Sequence, residues 1–221
     1  MTNSVTDNIG AAHPKILVLG ATGATGRLIV SQALARGYDV TVLARSAEKA
    51  NNFHGTKVII GDARDESVLR QAVKGRDAVL SALGTPASPF REVTLLSTAT
   101  RSLVSAMQAE QVSRLVCITG IGAGDSAGHG GFLFDNLIFP LLLRKVYADK
   151  NRQEAIIRGS GLDWVLVRPS ILNNTASHEV RALTDLSSFH GGTISREDVA
   201  SFVLDQVRGE AWVHRSPLIT W

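Results

Sequence analysis

Three evenly spaced glycines mark the turn Gly20-Ala21-Thr22-Gly23-Ala24-Thr25-Gly26 near the start of the chain. The turn directly follows the apolar run 16–19 and opens a helix-patterned stretch. A glycine-rich turn between a buried strand and a helix lets a pyrophosphate approach backbone N–H groups at the positive end of the helix. We therefore predict a dinucleotide site, with contacts from Gly20, Thr22, Gly23, Ala24, Thr25, Gly26 and Arg27.

The spacing GxxGxxG differs from the common GxGxxG, so the prediction of a dinucleotide site also depends on the elements around the turn. A second apolar strand, residues 39–43, completes a βαβ unit of about 30 residues, as the dinucleotide fingerprint requires. The alternative is a glycine turn that only packs a helix against a sheet.

The end of the second strand indicates which nicotinamide nucleotide is bound. An NAD site places Asp or Glu here to accept hydrogen bonds from the ribose 2′-OH, but this chain has Ala44-Arg45-Ser46. A guanidinium can pair with a 2′-phosphate through two charge-assisted hydrogen bonds, and the hydroxyl of Ser46 can assist. We predict that NADP(H) is preferred over NAD(H); the alternative is that Arg45 is a solvated surface residue and both are accepted.

Two further strand ends supply candidate cofactor contacts. After the third strand, Asp62 can accept from the adenine amino group and Ala63 offers backbone contacts, unless Asp62 is simply the acid that begins the next helix. After the fourth strand, Ala82, Leu83 and Gly84 are small enough for a ribose to lie against the backbone.

These residues must be positioned by alternating strands and helices. Strand-like runs occur at 16–19, 40–43, 58–60, 78–81, 115–119 and 164–167, and helical patterns at 28–36, near 47, and at 66–74, 93–110 and 146–158. The alternation predicts the α/β class: a Rossmann-type doubly wound parallel sheet with helices on both faces. A small C-terminal extension on the substrate side completes the prediction, with Ser195 capping a last helix.

Composition limits the class of protein. A length of 221 residues with 44% hydrophobic residues fits one domain, 14–221, after a flexible leader, 1–13. The net charge is only +3 with basic and acidic residues interspersed, which predicts no nucleic-acid partner. A single cysteine and histidines without ligand spacing predict no metal and a cytoplasmic location. The longest apolar stretch, 132–143, is shorter than the ~20 residues of a membrane span.

Several segments together resemble a known family. They are the turn 20–26, Arg45, Gly61-Asp62, the run 160–164 leading into Val167-Arg168-Pro169, and the run 194–200. In these segments the chain resembles the atypical short-chain dehydrogenase/reductases, specifically the NAD(P)H-binding group that includes NmrA-like proteins and flavin or biliverdin-IXβ reductases. The matches span nearly the whole chain in the expected order.

The resemblance implies site residues at the nicotinamide end. It places Thr119 beside the nicotinamide as a catalytic candidate, and Pro169, Ser170 and Ile171 along the other side. Other members of that superfamily carry Tyr-x-x-x-Lys, in which the lysine lowers the tyrosine pKa. Here Lys150 follows Tyr147 by only three residues. The pair can still share a helix face; the alternatives are that Tyr147 is packing and that Thr119 only bonds a neighbouring backbone group.

The apolar run 132–143 follows two glycine-rich stretches, 120–124 and 129–131. It can form a mobile wall of the substrate pocket for a planar, apolar acceptor, or it can be core or a dimer contact. His129 in the second stretch can donate to a substrate carbonyl or simply be exposed.

An altered Tyr/Lys relay indicates the kind of acceptor. Reduction of a carbonyl to an alcohol needs a positioned acid, whereas flavins, quinones and tetrapyrroles spread the charge so that solvent supplies the proton. We predict an NADPH-dependent oxidoreductase that passes hydride to a small conjugated acceptor, with flavin as substrate rather than bound cofactor. The alternative is an NADP(H)-binding redox sensor of the NmrA type that engages a protein partner. The sequence leaves monomer and homodimer open, and an epimerase is disfavoured because such relatives have a larger substrate lobe.

Overall fold

A computed structural model describes residues 13–86 and 92–221; residues 1–12 of the predicted leader lie outside the described residues. The strands are β1 Lys15–Leu19, β2 Asp39–Ala44, β3 Lys57–Ile60, β4 Ala78–Ser81, β5 Arg114–Ile118, β6 Asp163–Pro169, β7 Ile171–Asn173, β8 Arg181–Leu183, β9 Thr193–Ser195 and β10 Leu218–Thr220. The α-helices are α1 Ala24–Ala35, α2 Ala47–Ala50, α3 Glu66–Val73, α4 Leu95–Ala109, α5 Arg144–Arg158 and α6 Arg196–Asp205. A 3₁₀-helix, Gly124–Ser126, and a π-helix, Phe134–Leu143, lie between β5 and α5.

The main sheet has eight strands in the order β3-β2-β1-β4-β5-β6-β10-β8. All neighbouring strands are parallel except β8, which runs antiparallel to β10. Because β1 pairs with both β2 and β4, the strand order reverses at β1. In open sheets of this kind, ligands bind beyond the carboxyl ends of the strands at that reversal.

Helices cover both faces of the sheet, as the sequence predicts. Successive residues of a strand point to opposite faces, and in β1 both sets are apolar and buried. Ile16 and Val18 belong to a core cluster with residues of α1 and α6. Leu17 and Leu19 belong to a second cluster with residues of α3, α4 and α5. The Rossmann-type α/β prediction is therefore confirmed.

The chain after β6 forms structure that the sequence patterns did not predict. β8 and β10 extend the main sheet, while β7 and β9 form a separate two-stranded parallel sheet. Each of these strands has only three residues, which is too short for hydrophobic alternation to be recognised. The predicted cap of α6 is present, since the Ser195 hydroxyl accepts from the backbone N–H of Asp198.

No helix in the part of the chain that the structure describes combines the length and the apolar character needed to cross a membrane.

Candidate nucleotide-binding site

The glycine-rich turn packs too closely for side chains at two of its three glycines. Gly20 has φ +76°, and a Cβ on it would lie 2.4 Å from the carbonyl oxygen of Ala82. A Cβ on Gly26 would lie 2.2 Å from the carbonyl oxygen of Gly20. A Cβ on Gly23, the N-cap of α1, would lie 3.3 Å from the carbonyl oxygen of Gly20, and no side chain caps the helix there. The first and third glycines therefore serve packing, whereas the second leaves the start of α1 open.

A cavity of about 490 Å³ opens beside this turn, at the carboxyl ends of β1 to β5. Its volume falls within the usual range for small-molecule sites. The predicted site residues on its wall are Gly20, Thr22, Gly23, Ala24, Thr25, Gly26, Arg45, Asp62, Ala63, Ala82, Leu83, Gly84, Thr119 and Lys150. Residues from five separate strand ends thus meet at one cavity.

Arg45 is exposed on the cavity wall. It forms no hydrogen bond or ion pair with another residue in the described ranges. A guanidinium in that state can give its planar donors to a bound phosphate. Ser46 follows it as the N-cap of α2 and is not on the wall.

Asp62 is hydrogen-bonded by Arg64, a residue that was not predicted to belong to the site. The Arg64 guanidinium donates to both carboxylate oxygens of Asp62, at 3.0 and 2.6 Å, and the Arg64 backbone N–H donates at 2.8 Å. These bonds lower the pKa of Asp62 to about 2, so the carboxylate is ionised at neutral pH. Arg64 also lines the cavity. The sequence contains the Asp-x-Arg spacing but no periodic pattern that would distinguish it from surface charge.

Thr119 lies directly after β5 and is buried. Its hydroxyl donates to the Glu154 carboxylate at 2.8 Å, and its carbonyl accepts from the Lys150 ammonium. The hydroxyl hydrogen of Thr119 is therefore already given to Glu154, which leaves the oxygen as an acceptor toward the cavity. The bonded partner is a carboxylate on α5, not the neighbouring backbone group considered from the sequence.

Lys150 brings a cation to the same end of the cavity. Burial lowers the pKa of Lys150 to about 8, with opposing attraction from Glu154. Four residues earlier, where the Tyr-x-x-x-Lys pattern has its tyrosine, this chain has the buried Val146. The lysine of that pattern is thus present at the cavity without a tyrosine in register.

Tyr147 is buried and does not line the cavity. Its ring lies against Phe134 and Phe139, with centroids 6.3 and 5.0 Å away, and the Lys150 Nζ lies 5.0 Å from its centroid. Burial raises the pKa of Tyr147 to about 12, so the phenol is a weak acid at neutral pH. Tyr147 and Lys150 share a helix face as predicted. The position of Tyr147, however, corresponds to the alternative in which its side chain packs in the protein.

The other predicted contacts also lie off the cavity wall. The Arg27 guanidinium donates to the carbonyl of Thr22 at 3.1 Å, within the glycine-rich turn itself. Pro169 ends the buried strand β6, and the Ser170 hydroxyl donates to Thr220 at 3.1 Å. Ile171 is exposed, and its neighbour Leu172 lines the cavity instead, since adjacent residues of a strand face opposite sides.

A buried ion-pair network stands behind Thr119. Arg168 donates from two nitrogens to Glu154, at 3.0 and 2.6 Å, and from a third to Asp125. Arg168 and Glu154 are both almost fully buried. In the sequence the Arg-Pro segment only marks the family resemblance, and no local pattern predicts Glu154 as the partner of Arg168.

Further wall residues were not predicted. They are Leu19, Leu43, Ala44, Gly61, Arg64, Thr85, Pro86, Leu95, Ile118, Leu172 and Arg196. Among them, the guanidinium of Arg196 donates to the carbonyl of Asn173 and the side chain of Asn174. No residue of 132–143 lines this cavity. The segment does not form a wall here.

The chain is similar in sequence to several known proteins. An uncharacterized chloroplastic protein of Arabidopsis thaliana is 27% identical over 89% of this chain and 72% of its own length. A (4-alkanoyl-5-oxo-2,5-dihydrofuran-3-yl)methyl phosphate reductase of Streptomyces griseus is 29% identical over 73% of this chain and 50% of its own. The chloroplastic relative leaves the cytoplasmic location a prediction.

Two solved structures share the fold. One is ChuY, an anaerobillin reductase from Escherichia coli O157:H7, with TM-score 0.80, 22% identity, and coverage of 93% of this chain and 96% of that one. The other is a short-chain dehydrogenase/reductase from Veillonella parvula in complex with NADP, with TM-score 0.78, 18% identity and 95% coverage of both chains.

The family model described as NAD(P)H-binding matches residues 20–210, from the first glycine of the turn to beyond α6. The predicted resemblance is thereby confirmed, and the chain belongs to this NAD(P)H-binding family.

Proposed function

We propose that the protein is an NADPH-dependent oxidoreductase that transfers hydride to a small conjugated acceptor, such as a flavin or a quinone. One observation carries the proposal: at the end of the second strand the cavity wall has Arg45, which forms no hydrogen bond or ion pair with another described residue. The lysine beside Thr119, without a tyrosine in register, supports it. The reductase name of the Streptomyces griseus relative supports the same reaction type.

The described residues fit a dinucleotide. The close approaches at Gly20 and Gly26 hold the turn so that the start of α1 faces the cavity, where N–H groups and the helix dipole favour a phosphate. Arg45 supplies two parallel donors for a 2′-phosphate. Asp62 is held by Arg64, and its lone pairs beyond those bonds can accept from an adenine amino group.

The nicotinamide end explains the preference for a conjugated acceptor. A bound reduced nicotinamide supplies the hydride. Thr119 offers an acceptor oxygen for a carboxamide, and Lys150 holds a positive charge where negative charge develops on the acceptor. Tyr147 is buried and does not line the cavity, and burial raises its pKa to about 12. An acceptor that takes its proton from solvent suits this set of groups.

Steady-state turnover tests the proposal. NADPH oxidation is followed with FMN, riboflavin, quinones and small carbonyls, and nucleotide binding is measured separately by fluorescence. We expect turnover with at least one conjugated acceptor and none with the carbonyls. The matched control is Gly23→Asp, which caps α1 with a carboxylate where a phosphate would bind; it should lose both binding and turnover. Absence of nucleotide binding by the folded protein would overturn the proposal.

A regulatory NADP(H) sensor is the second candidate function. It is favoured by the position of Tyr147 off the cavity wall and by the donation of the Thr119 hydroxyl to Glu154, since neither hydroxyl is then free to act as the acid at the cavity. Tight NADPH binding with no turnover on the whole panel selects this function over the first.

A further inference from the structure

The cationic side chains on the cavity wall differ in whether a carboxylate already partners them. They are Arg45, Arg64, Lys150 and Arg196. Arg64 forms an ion pair with Asp62 at 2.6 Å, and the carboxylate of Glu154 attracts Lys150. Neither Arg45 nor Arg196 forms an ion pair with another residue in 13–86 or 92–221. The proposed function gives Arg45 a 2′-phosphate, so Arg196 is the cation on the wall to which no anion has been assigned.

Neutral oxygens hold the guanidinium of Arg196 at one of its nitrogens. Its Nη1 donates to the carbonyl of Asn173 at 3.1 Å and to the side-chain oxygen of Asn174 at 2.7 Å. A guanidinium has five N–H donors in a fixed plane, and these two bonds use the pair on Nη1. Nε and Nη2 donate to no other residue in the described ranges. That edge keeps two parallel donors, which is the geometry that binds a phosphate through two hydrogen bonds.

Arg196 lies on the face of the sheet that α1 covers. It is the first residue of α6. Gln32 of α1 donates to the carbonyl of Glu197 at 3.0 Å, and Arg36, one turn later, pairs with Asp205 at the end of α6. The two helices therefore run side by side in the same direction and share one core cluster. The start of α1 and the side chain of Arg196 line the cavity from this one face.

Lys150 lies across the sheet from Arg196. It belongs to α5, which packs with α3 and α4 on the opposite face. The acceptor is expected beside Lys150 and Thr119, whereas the glycine-rich turn and the start of α1 lie on the face of Arg196. This placement favours a phosphate at the turn over the acceptor as the partner of Arg196.

We propose that Arg196 binds the diphosphate of the nicotinamide nucleotide, beside the N–H groups at the start of α1. The inference rests on the nucleotide binding in the proposed function and adds a charged side chain to it. The start of a helix supplies only about half a positive charge, which does not balance a diphosphate. Arg196 supplies a full charge there, while Arg45 is left for the 2′-phosphate.

Titration of Arg196→Met with both nicotinamide nucleotides tests this assignment, because both carry the diphosphate. The dissociation constants of NADPH and NADH should rise by the same factor, about tenfold, the value of one charge-assisted hydrogen bond. Arg45→Asp should instead change NADPH binding far more than NADH binding. Fluorescence measures all four constants, and circular dichroism checks that each variant is folded.

Two variants separate the charge of Arg196 from its contacts with the chain. Arg196→Lys keeps the positive charge and should bind both nucleotides more tightly than Arg196→Met. The matched control is Arg36→Met, which removes an arginine between α1 and α6 that does not line the cavity. It should bind both nucleotides like the wild type.

A fragment without the diphosphate separates Arg196 from Arg45. Adenosine 2′-monophosphate carries the adenine and the 2′-phosphate alone. Its affinity, measured by calorimetry, should fall in Arg45→Asp and stay unchanged in Arg196→Met.

Three results would overturn the inference when the wild type binds NADPH. One is unchanged affinity for NADPH and NADH in Arg196→Met. Another is an equal loss in Arg196→Lys and Arg196→Met, or a loss of adenosine 2′-monophosphate binding in Arg196→Met, which would mean that Arg196 only holds Asn173 and Asn174 in place. The third is a loss of FMN turnover relative to riboflavin with NADPH binding unchanged, which would assign Arg196 to a phosphate of the acceptor.

Failure of the proposed function gives a different result. A wild type that binds both nucleotides but reduces no acceptor removes the proposed reaction, and the titrations of Arg196→Met still decide the diphosphate contact. A folded wild type that binds neither nucleotide overturns both.

Discussion

Arg45 and Lys150 are two of the four cationic residues on the cavity wall, and we expect them to contact opposite ends of a bound nucleotide. Arg45 is exposed at the end of β2, and Lys150 reaches the carbonyl of Thr119 at the end of β5. They come from different elements and line one cavity. A separate prediction follows for each, because Arg45 would contact a phosphate and Lys150 would lie at the nicotinamide end.

Replacement of Arg45 should change the choice between the two nucleotides. In Arg45→Asp we expect the NADPH dissociation constant to rise roughly 30- to 150-fold, because charge-assisted hydrogen bonds worth about 2–3 kcal/mol are lost. NADH affinity should change by less than about threefold, since NADH carries no 2′-phosphate. Fluorescence titration measures both. Lys49→Asp on α2 makes the same charge change off the cavity wall, and equal losses for both nucleotides in Arg45→Asp would refute the phosphate role.

Lys150 should make nucleotide binding depend on pH. Burial lowers its pKa to about 8, so the ammonium that faces the cavity is present below pH 8 and is lost as the pH rises above it. We expect NADPH affinity to fall from pH 7 to pH 9. Lys150→Met should weaken binding about tenfold at pH 7, the value of one charge-assisted hydrogen bond, and flatten the profile. Tyr147→Phe is the control and should keep the wild-type profile; a pH dependence unchanged in Lys150→Met contradicts this assignment.

At the scale of elements, Glu154 joins three parts of the fold behind the cavity. From α5 it accepts from Thr119, after β5, and from Arg168, in β6. Arg168 in turn reaches Asp125 in the 3₁₀-helix. A Cβ on Gly124 would lie 2.3 Å from the Arg168 guanidinium, so the loop after β5 closes over this ion pair only because a glycine is there. The network thus sets where Thr119 points.

Removal of the Glu154 charge should destabilise the protein strongly. Glu154→Gln leaves the buried Arg168 with only the carboxylate of the exposed Asp125, and breaking a buried pair from one side costs about 3–5 kcal/mol. Asp205→Asn removes the acid of the exposed Arg36–Asp205 pair and should cost less than about 1 kcal/mol. Urea denaturation gives both free energies of unfolding. Similar losses for the two variants would argue against a buried network that fixes the elements.

At the scale of the whole molecule, the nucleotide cavity joins the ends of strands that are far apart in the chain. A ligand bound there contacts β1, β2, β4 and β5 at once, so it should stabilise the folded state as a unit.

Binding of the cofactor should raise the melting temperature of the whole fold. At 100 times the dissociation constant, NADPH should add about 2.7 kcal/mol. For a chain of this size that raises the melting temperature by roughly 5–10 °C. FMN alone should give a much smaller shift if it is a substrate and not a resident cofactor. A larger shift with FMN than with NADPH would reverse these roles, and Gly23→Asp should show no shift with either.

The local patterns of the chain were sufficient for most of the fold. Six strands and six helices could be predicted from the spacing of apolar residues, because burial on both sheet faces requires continuous apolar strands. The turn 20–26 and Arg45 follow from motifs that are contiguous in sequence. The short strands after β6 were not predicted, since three residues carry too little pattern.

The sequence by itself determined the Rossmann-type fold, because strand, turn and helix are each encoded by neighbouring residues. Only the tertiary structure decided that the Glu154 carboxylate accepts from the Thr119 hydroxyl, that Tyr147 packs against two phenylalanines, and that four leucines of 132–143 are exposed. Such pairings join residues that the chain separates, and they depend on how helices dock on the sheet. The spacing of residues along the chain does not indicate the angle at which a helix docks on the sheet.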